Sequence, residues 1–189
     1  SAKKNEMISK VFQSTSQAST ALFLDLKRLD LDVEYRTVVE DKLIDATGAV
    51  AYYCLSNWIP VSFIAYNDGL ISVEAKSVMD FEPVYKMLSK VRFNEKTNIS
   101  DVMDVYFKDS LKNTNIIIFT ARLDFPLYEQ IFRNKLSGNE ISLVFVSAEE
   151  LTGAGDQTAA DIMKYLPEIG VNTYCLNISD DIKTALERC

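Results

Sequence analysis

At Ala21-Leu22-Phe23-Leu24 the chain runs without a polar side chain, and it closes that run on Asp25. A short continuous apolar run fits a strand covered on both faces, the central position of a parallel sheet. In an open α/β sheet, ligands bind just outside the carboxyl ends of such strands. The acid therefore marks where a site belongs, and an aspartate there ordinarily prepares a metal or phosphate site. The residues that follow are Leu26, Lys27, Arg28 and Leu29. Neither Lys27 nor Leu29 can ligate a cation as a hydroxyl would.

Downstream, helical and extended patterns alternate. Val39, Leu43, Ala46, Val50 and Cys54 recur at steps of three or four, which predicts a helix from about Tyr35 to Ser56. Gly48 inside it reads as a small residue permitting close contact with the sheet, and Pro60 enforces the exit. Val61 to Tyr66 and Leu70 to Ala75 read as strands around Asn67-Asp68-Gly69. Asp-Gly predicts a tight type I′ hairpin, with positive φ at both central residues, and hence an antiparallel pair. Asp80 is placed to cap a helix carrying Phe81, Val84, Leu88 and Val91. Asn98 or Ser100 can cap the next, whose stripe is Val102, Met103, Tyr106 and Phe107.

Asn115 to Thr120 is a second continuous apolar run. Asp124 and Pro126 open a helix that stops at Gly138, and Ile141 to Val146 forms another central strand. Asp156 caps a helix to about Leu166, Val171 to Leu176 is the last strand, and Ser179 or Asp180 caps a final helix to Glu187. This alternation predicts right-handed crossovers and a mostly parallel sheet with helices on both faces. Residues 1–17 read as a lead-in segment with a possible edge strand near 8–12, and 18–189 as one α/β domain. A length of 189 residues, 48% of them apolar, suits a single core.

Composition excludes more chemistry than it suggests. With no histidine, His-based zinc sites, Ser-His-Asp triads and Cys-His pairs are ruled out. Cys54, Cys175 and Cys189 have no ligand-like spacing, and such a sparse, odd set fits a reducing compartment. A net charge of −7 argues against nucleic acid as a partner. No apolar run approaches the ~20 residues that span a bilayer, and no signal peptide is visible. Ser1-Ala2 at the start reads as a remnant on an excised piece, so that any membrane anchor would lie outside it.

The order of elements resembles the von Willebrand factor A fold, a three-layer, Rossmann-like sandwich. Here that means a mostly parallel six-stranded sheet with one antiparallel edge strand. Within that fold the chain resembles the domain of unknown function 58 family over residues 7–187. The resemblance is carried by Met7-Ile8-Ser9-Lys10-Val11-Phe12, Phe23-Leu24-Asp25, Trp58-Ile59-Pro60-Val61 and Lys96-Thr97-Asn98. Ile116-Ile117-Ile118-Phe119-Thr120 and Glu168-Ile169-Gly170-Val171 complete it. Metal-binding domains of this fold hold a cation through Asp-x-Ser-x-Ser after the first strand, a loop Thr and an Asp after the fourth strand. Asp25 matches the first acid and Thr97 the loop Thr, while Lys27 and Leu29 stand at the two Ser positions and Thr120-Ala121 where the last acid is expected. The resemblance thus implies a degenerate metal site, with no cofactor.

Two readings of Lys27 stay open. Its ammonium can stand in for the metal's charge beside Asp25, or it can point into water. Asp124 can lean over the site or cap its helix. Asp30, Asp32 and Glu34 make the rim acidic, Gly153-Ala154-Gly155-Asp156 reads as an ordinary strand-to-helix loop, and Tyr52, Tyr53 and Trp58 as packing residues.

The leading expectation is a non-catalytic protein-interaction module, a fragment of a longer bacterial protein. The resemblance implies a membrane-anchored parent, a cytoplasmic location for this piece and a MoxR-type AAA+ ATPase as partner. Asp25, Lys27, Arg28, Thr97 and Thr120 form the expected contact rim. One alternative is a divalent-metal-dependent ligand binder using Asp25, Thr97 and Asp124. A second is an uncharacterised hydrolase.

Overall fold

A computed structural model of the chain describes residues 19–108 and 114–187. The expected lead-in strand near residues 8–12 and Cys189 lie outside these. Six strands form one sheet: β1 (Thr20–Leu24), β2 (Val61–Tyr66), β3 (Leu70–Ala75), β4 (Asn115–Thr120), β5 (Glu140–Val146) and β6 (Asn172–Leu176). Their spatial order is β3-β2-β1-β4-β5-β6. All neighbours are parallel except β2 and β3, which pair antiparallel from Val61↔Ala75 to Tyr66↔Leu70.

The chain builds outward from β1 on one side and then crosses to β4 on the other. The switch in strand order falls between β1 and β4, so the carboxyl end of β1 lies at the crevice where open sheets place their ligands.

Seven helices are described: α1 (Val33–Ser56), α2 (Phe81–Leu88), α3 (Ile99–Phe107), α4 (Phe125–Leu136), α5 (Glu149–Thr152), α6 (Gln157–Tyr165) and α7 (Ile182–Leu186). Alternation along the strands sorts the core into two layers. Leu22, Leu24, Ile117, Phe119, Val144 and Val146 face α1, α2 and α7. Ala21, Phe23, Ile116, Ile118 and Leu143 face α3, α4 and α6. The period-two rule for strands gives this split directly. On α1 the buried positions include Val39, Leu43, Ala46, Val50 and Cys54, the stripe that the spacing predicts.

Several local expectations change. The β2–β3 hairpin exists, but its loop has three residues, Asn67 to Gly69, between the paired Tyr66 and Leu70. Asp68 is left-handed at φ 54 while Gly69 sits at φ 157, so the turn is not type I′. The final helix is capped by Asp181, whose carboxylate accepts from the Thr184 amide at 3.0 Å. Asp180 is used one step earlier, accepting from the Asn177 amide at 2.8 Å. Asp80 accepts from the amides of Lys76 and Ser77 and thereby folds the turn ahead of α2, rather than capping α2 itself. Gly48 faces Leu88 of α2, not the sheet. Trp58 is not packed: it is 79% exposed on a left-handed backbone at φ 60. Tyr52 is also exposed, its ring edge-on to Phe81, whereas Tyr53 packs against the core.

Candidate functional site at the crest of β1

Asp25 leaves β1 with its amide donating to the Phe119 carbonyl of β4 at 2.9 Å, which fixes it over the β1–β4 boundary. It is 7% exposed. Its two carboxylate oxygens are both engaged: Oδ1 accepts from the Lys27 amide at 3.0 Å and Oδ2 from the Thr120 hydroxyl at 2.7 Å. Thr120, fully buried at the end of β4, also accepts from the Arg122 amide at 3.0 Å. A short-range carboxylate–amide–hydroxyl knot therefore closes the crest.

Burial drives the Asp25 carboxyl above its ordinary value. The Thr120 hydroxyl, the Lys27 amide and the nearby Arg122 charge oppose that rise, and Asp124 adds to it. Desolvation disfavours the charged form, and hydrogen bonds to that form recover only part of the cost.

The Lys27 ammonium does not stand beside Asp25. Nζ donates to Asn98 Oδ1 at 2.5 Å, and Lys27 forms a parallel bridge with Glu95. Glu95 donates its amide to the Leu26 carbonyl at 3.2 Å and accepts the Arg28 amide at 3.0 Å. Charge compensation of Asp25 by Lys27 is thus not what the fold provides; the lysine pins the β1 loop to the start of α3 instead. Leu29, at the second Ser position, is 6% exposed and belongs to the core facing α1.

Asp124 Oδ1 accepts from the Leu127 amide at 3.0 Å, so it caps α4. Its other oxygen lies 3.6 Å from Arg122 Nη2. The five rim residues separate by exposure. Asp25 and Thr120 are buried, Lys27 and Thr97 are half-buried and Arg28 is exposed. The side-chain contact between the β1 loop and the start of α3 goes through Asn98, the neighbour of Thr97, beside the backbone bonds of Glu95. Among the described residues, no group of three or more His, Cys, Asp or Glu side chains is placed to hold a metal ion.

Beside this knot a cleft of about 450 Å³ opens between the β1 loop, the end of β4, the α5 turn and α6. Leu31, Phe145 and Met163 line it with Asp30, Glu149 and Asp156. Sequence reading misses it because its inner wall is the four-residue α5, too short to show a helical period. The one available signal was Gly153-Ala154-Gly155-Asp156, whose last three residues line the cleft.

No protein-family model matches the sequence, and no curated protein sequence matches it. Solved structures do match the fold. The BatB protein of Bacteroides thetaiotaomicron superposes with TM-score 0.53 at 12% identity, covering 91% of this chain and 96% of that one. The SpRpn10 VWA domain gives 0.55 at 9% identity over 89% and 93%. An aerotolerance-related membrane protein from Bacteroides fragilis gives 0.51 at 10% identity over 90% and 96%. Among the described residues, no helix is long and apolar enough to cross a membrane. Strand order, layer arrangement and these likenesses agree: the chain has the von Willebrand A fold.

Proposed function

We propose that the chain is a non-catalytic protein-docking module of von Willebrand A type whose metal position is degenerate. We place it with the domain of unknown function 58 proteins, as the cytoplasmic part of a longer bacterial parent that works with a MoxR-type AAA+ ATPase. The observation that carries this reading is the state of the β1 crest. Magnesium and calcium take six or more oxygen ligands, supplied by carboxylates, carbonyls and water. At this crest both Asp25 oxygens are committed to protein donors, Leu29 is in the core, and Asp124 is divided between a helix cap and Arg122. The donor set does not fit a divalent cation.

Catalysis at the crest would need a nucleophile with an activating base. The crest hydroxyl, Thr120, is buried and bonded to Asp25, and the chain has no histidine to activate another. A bacterial, membrane-associated parent is in keeping with the Bacteroides neighbours, one of them described as a membrane protein. In this reading Lys27 and Arg28 meet the partner, with Thr97 beside them. Asp25 and Thr120 set the loop's shape from beneath.

The test is capture of a MoxR-type AAA+ ATPase from the same cell by the immobilised full-length protein. Wild type retains the ATPase, and K27E/R28E binds it about tenfold more weakly, a loss of about 1.4 kcal/mol for reversing two charges at a docking rim. No capture by wild type, or capture indifferent to the reversal, overturns the reading.

A further inference from the structure

The cleft beside the crest differs from the crest in chemistry. Its floor is apolar: Leu29 and Ala159 are buried there, and Phe145 and Met163 half-buried. Its mouth carries the exposed carboxylates of Asp30, Glu149 and Asp156, the last with Oδ1 accepting from the Ala159 amide at 3.1 Å to cap α6. The cation in its lining is Arg122, whose guanidinium lies 3.6 Å from the Asp124 carboxylate, outside the cleft lining. A β-carbon built on Gly155 would stand 3.3 Å from Glu149 Oε2, so the glycine leaves room for that carboxylate to lie across the mouth. Cys175 of β6 lines the wall, and its thiol is pushed up first by burial, then by the charges of Asp180 and Glu149.

An anion is repelled here, and a wholly apolar group would give the carboxylates at the mouth no countercharge. The carboxylates do not converge as metal ligands do. What fits is a diffuse organic cation on an apolar stem, a shape that arginine and lysine side chains have. We propose that the cleft receives an arginine or lysine side chain of a protein partner, its stem on Phe145 and Met163 and its head among Asp30, Glu149 and Asp156. This rests on the docking-module reading and gives the partner's chemistry at a second point of contact.

The experiment titrates the ¹⁵N-labelled full chain with N-acetyl-arginine-N-methylamide, and in parallel with its leucine and glutamate analogues and with spermidine. The arginine compound is expected to move the amide signals of Leu31, Ala148 and Gly155. D30N/E149Q, which alters two exposed side chains, should weaken it about fivefold. Silence at those amides, an equal response to the leucine or glutamate analogue, or binding unaffected by D30N/E149Q overturns the proposal. So does a stronger response to spermidine, which would make this a polyamine site.

A second readout uses Cys175 in a C189S background, since Cys54 is buried. A cationic thiosulfonate should modify it about tenfold faster than an anionic one, after correction for free cysteine. Equal rates count against the cleft's field. The capture experiment is separate. Retention of the ATPase with no arginine binding sinks the cleft proposal alone, whereas arginine binding without capture sinks only the docking reading.

Discussion

Asp25 is an acid that its surroundings make reluctant to ionise. With the carboxyl raised above its ordinary 3.8 by burial, the folded state keeps this proton to higher pH than the unfolded chain does. The stability it contributes is therefore whole below that ordinary value and is lost as pH climbs through the folded-state value. Asn at this position keeps an acceptor for the Lys27 amide and has no proton to lose. The stability of wild type relative to D25N should accordingly fall as pH rises from about 4, measured by urea denaturation across a pH series; a flat or rising difference would contradict the burial argument. The place of this residue was legible, because an apolar run ending on an acid has few other readings. The destination of Lys27 was not, because Asn98 lies 71 positions away and nothing local points to it.

Elements follow from periodicity where they are long and from caps where they are short. α1 was readable across its length, since five residues of its buried stripe obey one spacing. α7 was readable, but its cap was not, because Ser179, Asp180 and Asp181 are all good N-cap types and only geometry chooses among them. Trp58 defeats a reading by residue type, since its left-handed backbone turns an aromatic outward.

Gly48 offers a test at this scale. A β-carbon there would meet Leu88 Cδ1 at 3.5 Å, an ordinary van der Waals contact. G48A should stabilise the protein by about 0.5–1 kcal/mol through helix propensity, seen as a melting temperature about 1–4 °C higher. A loss of stability would mean that α1 and α2 approach more closely than described.

At the scale of the molecule, the sequence's alternation of strands and helices carried the parallel sheet, the antiparallel margin and the two covering layers. The sheet and its layers depend on hydrophobic pattern, and the antiparallel margin on the turn residues Asn67-Asp68-Gly69. The cleft was hidden because it is made where segments distant in sequence meet, and no segment declares it.

The proposed loss of metal binding is tested on the whole molecule, since a ligand that binds only the native state must raise its melting temperature. At a hundred times its dissociation constant such a ligand adds about 2.7 kcal/mol, or roughly 5–10 °C for a chain of this size. Magnesium or manganese at millimolar concentration, matched for ionic strength, should shift the melting temperature by less than about 1 °C. A rise of several degrees, abolished by D25N, would restore the metal-dependent reading.

Glu95 belongs to two loops at once. Its peptide group grips Leu26 and Arg28, and its carboxylate oxygen receives the Asn67 side chain and the Asp68 amide. Neither loop can lift away alone without surrendering bonds that hold the other. Through this one residue, helped at the outlying turn by Asn67 on the Arg92 backbone, the turn of β2 and β3 is fastened to the loop that carries Lys27, two residues from Asp25.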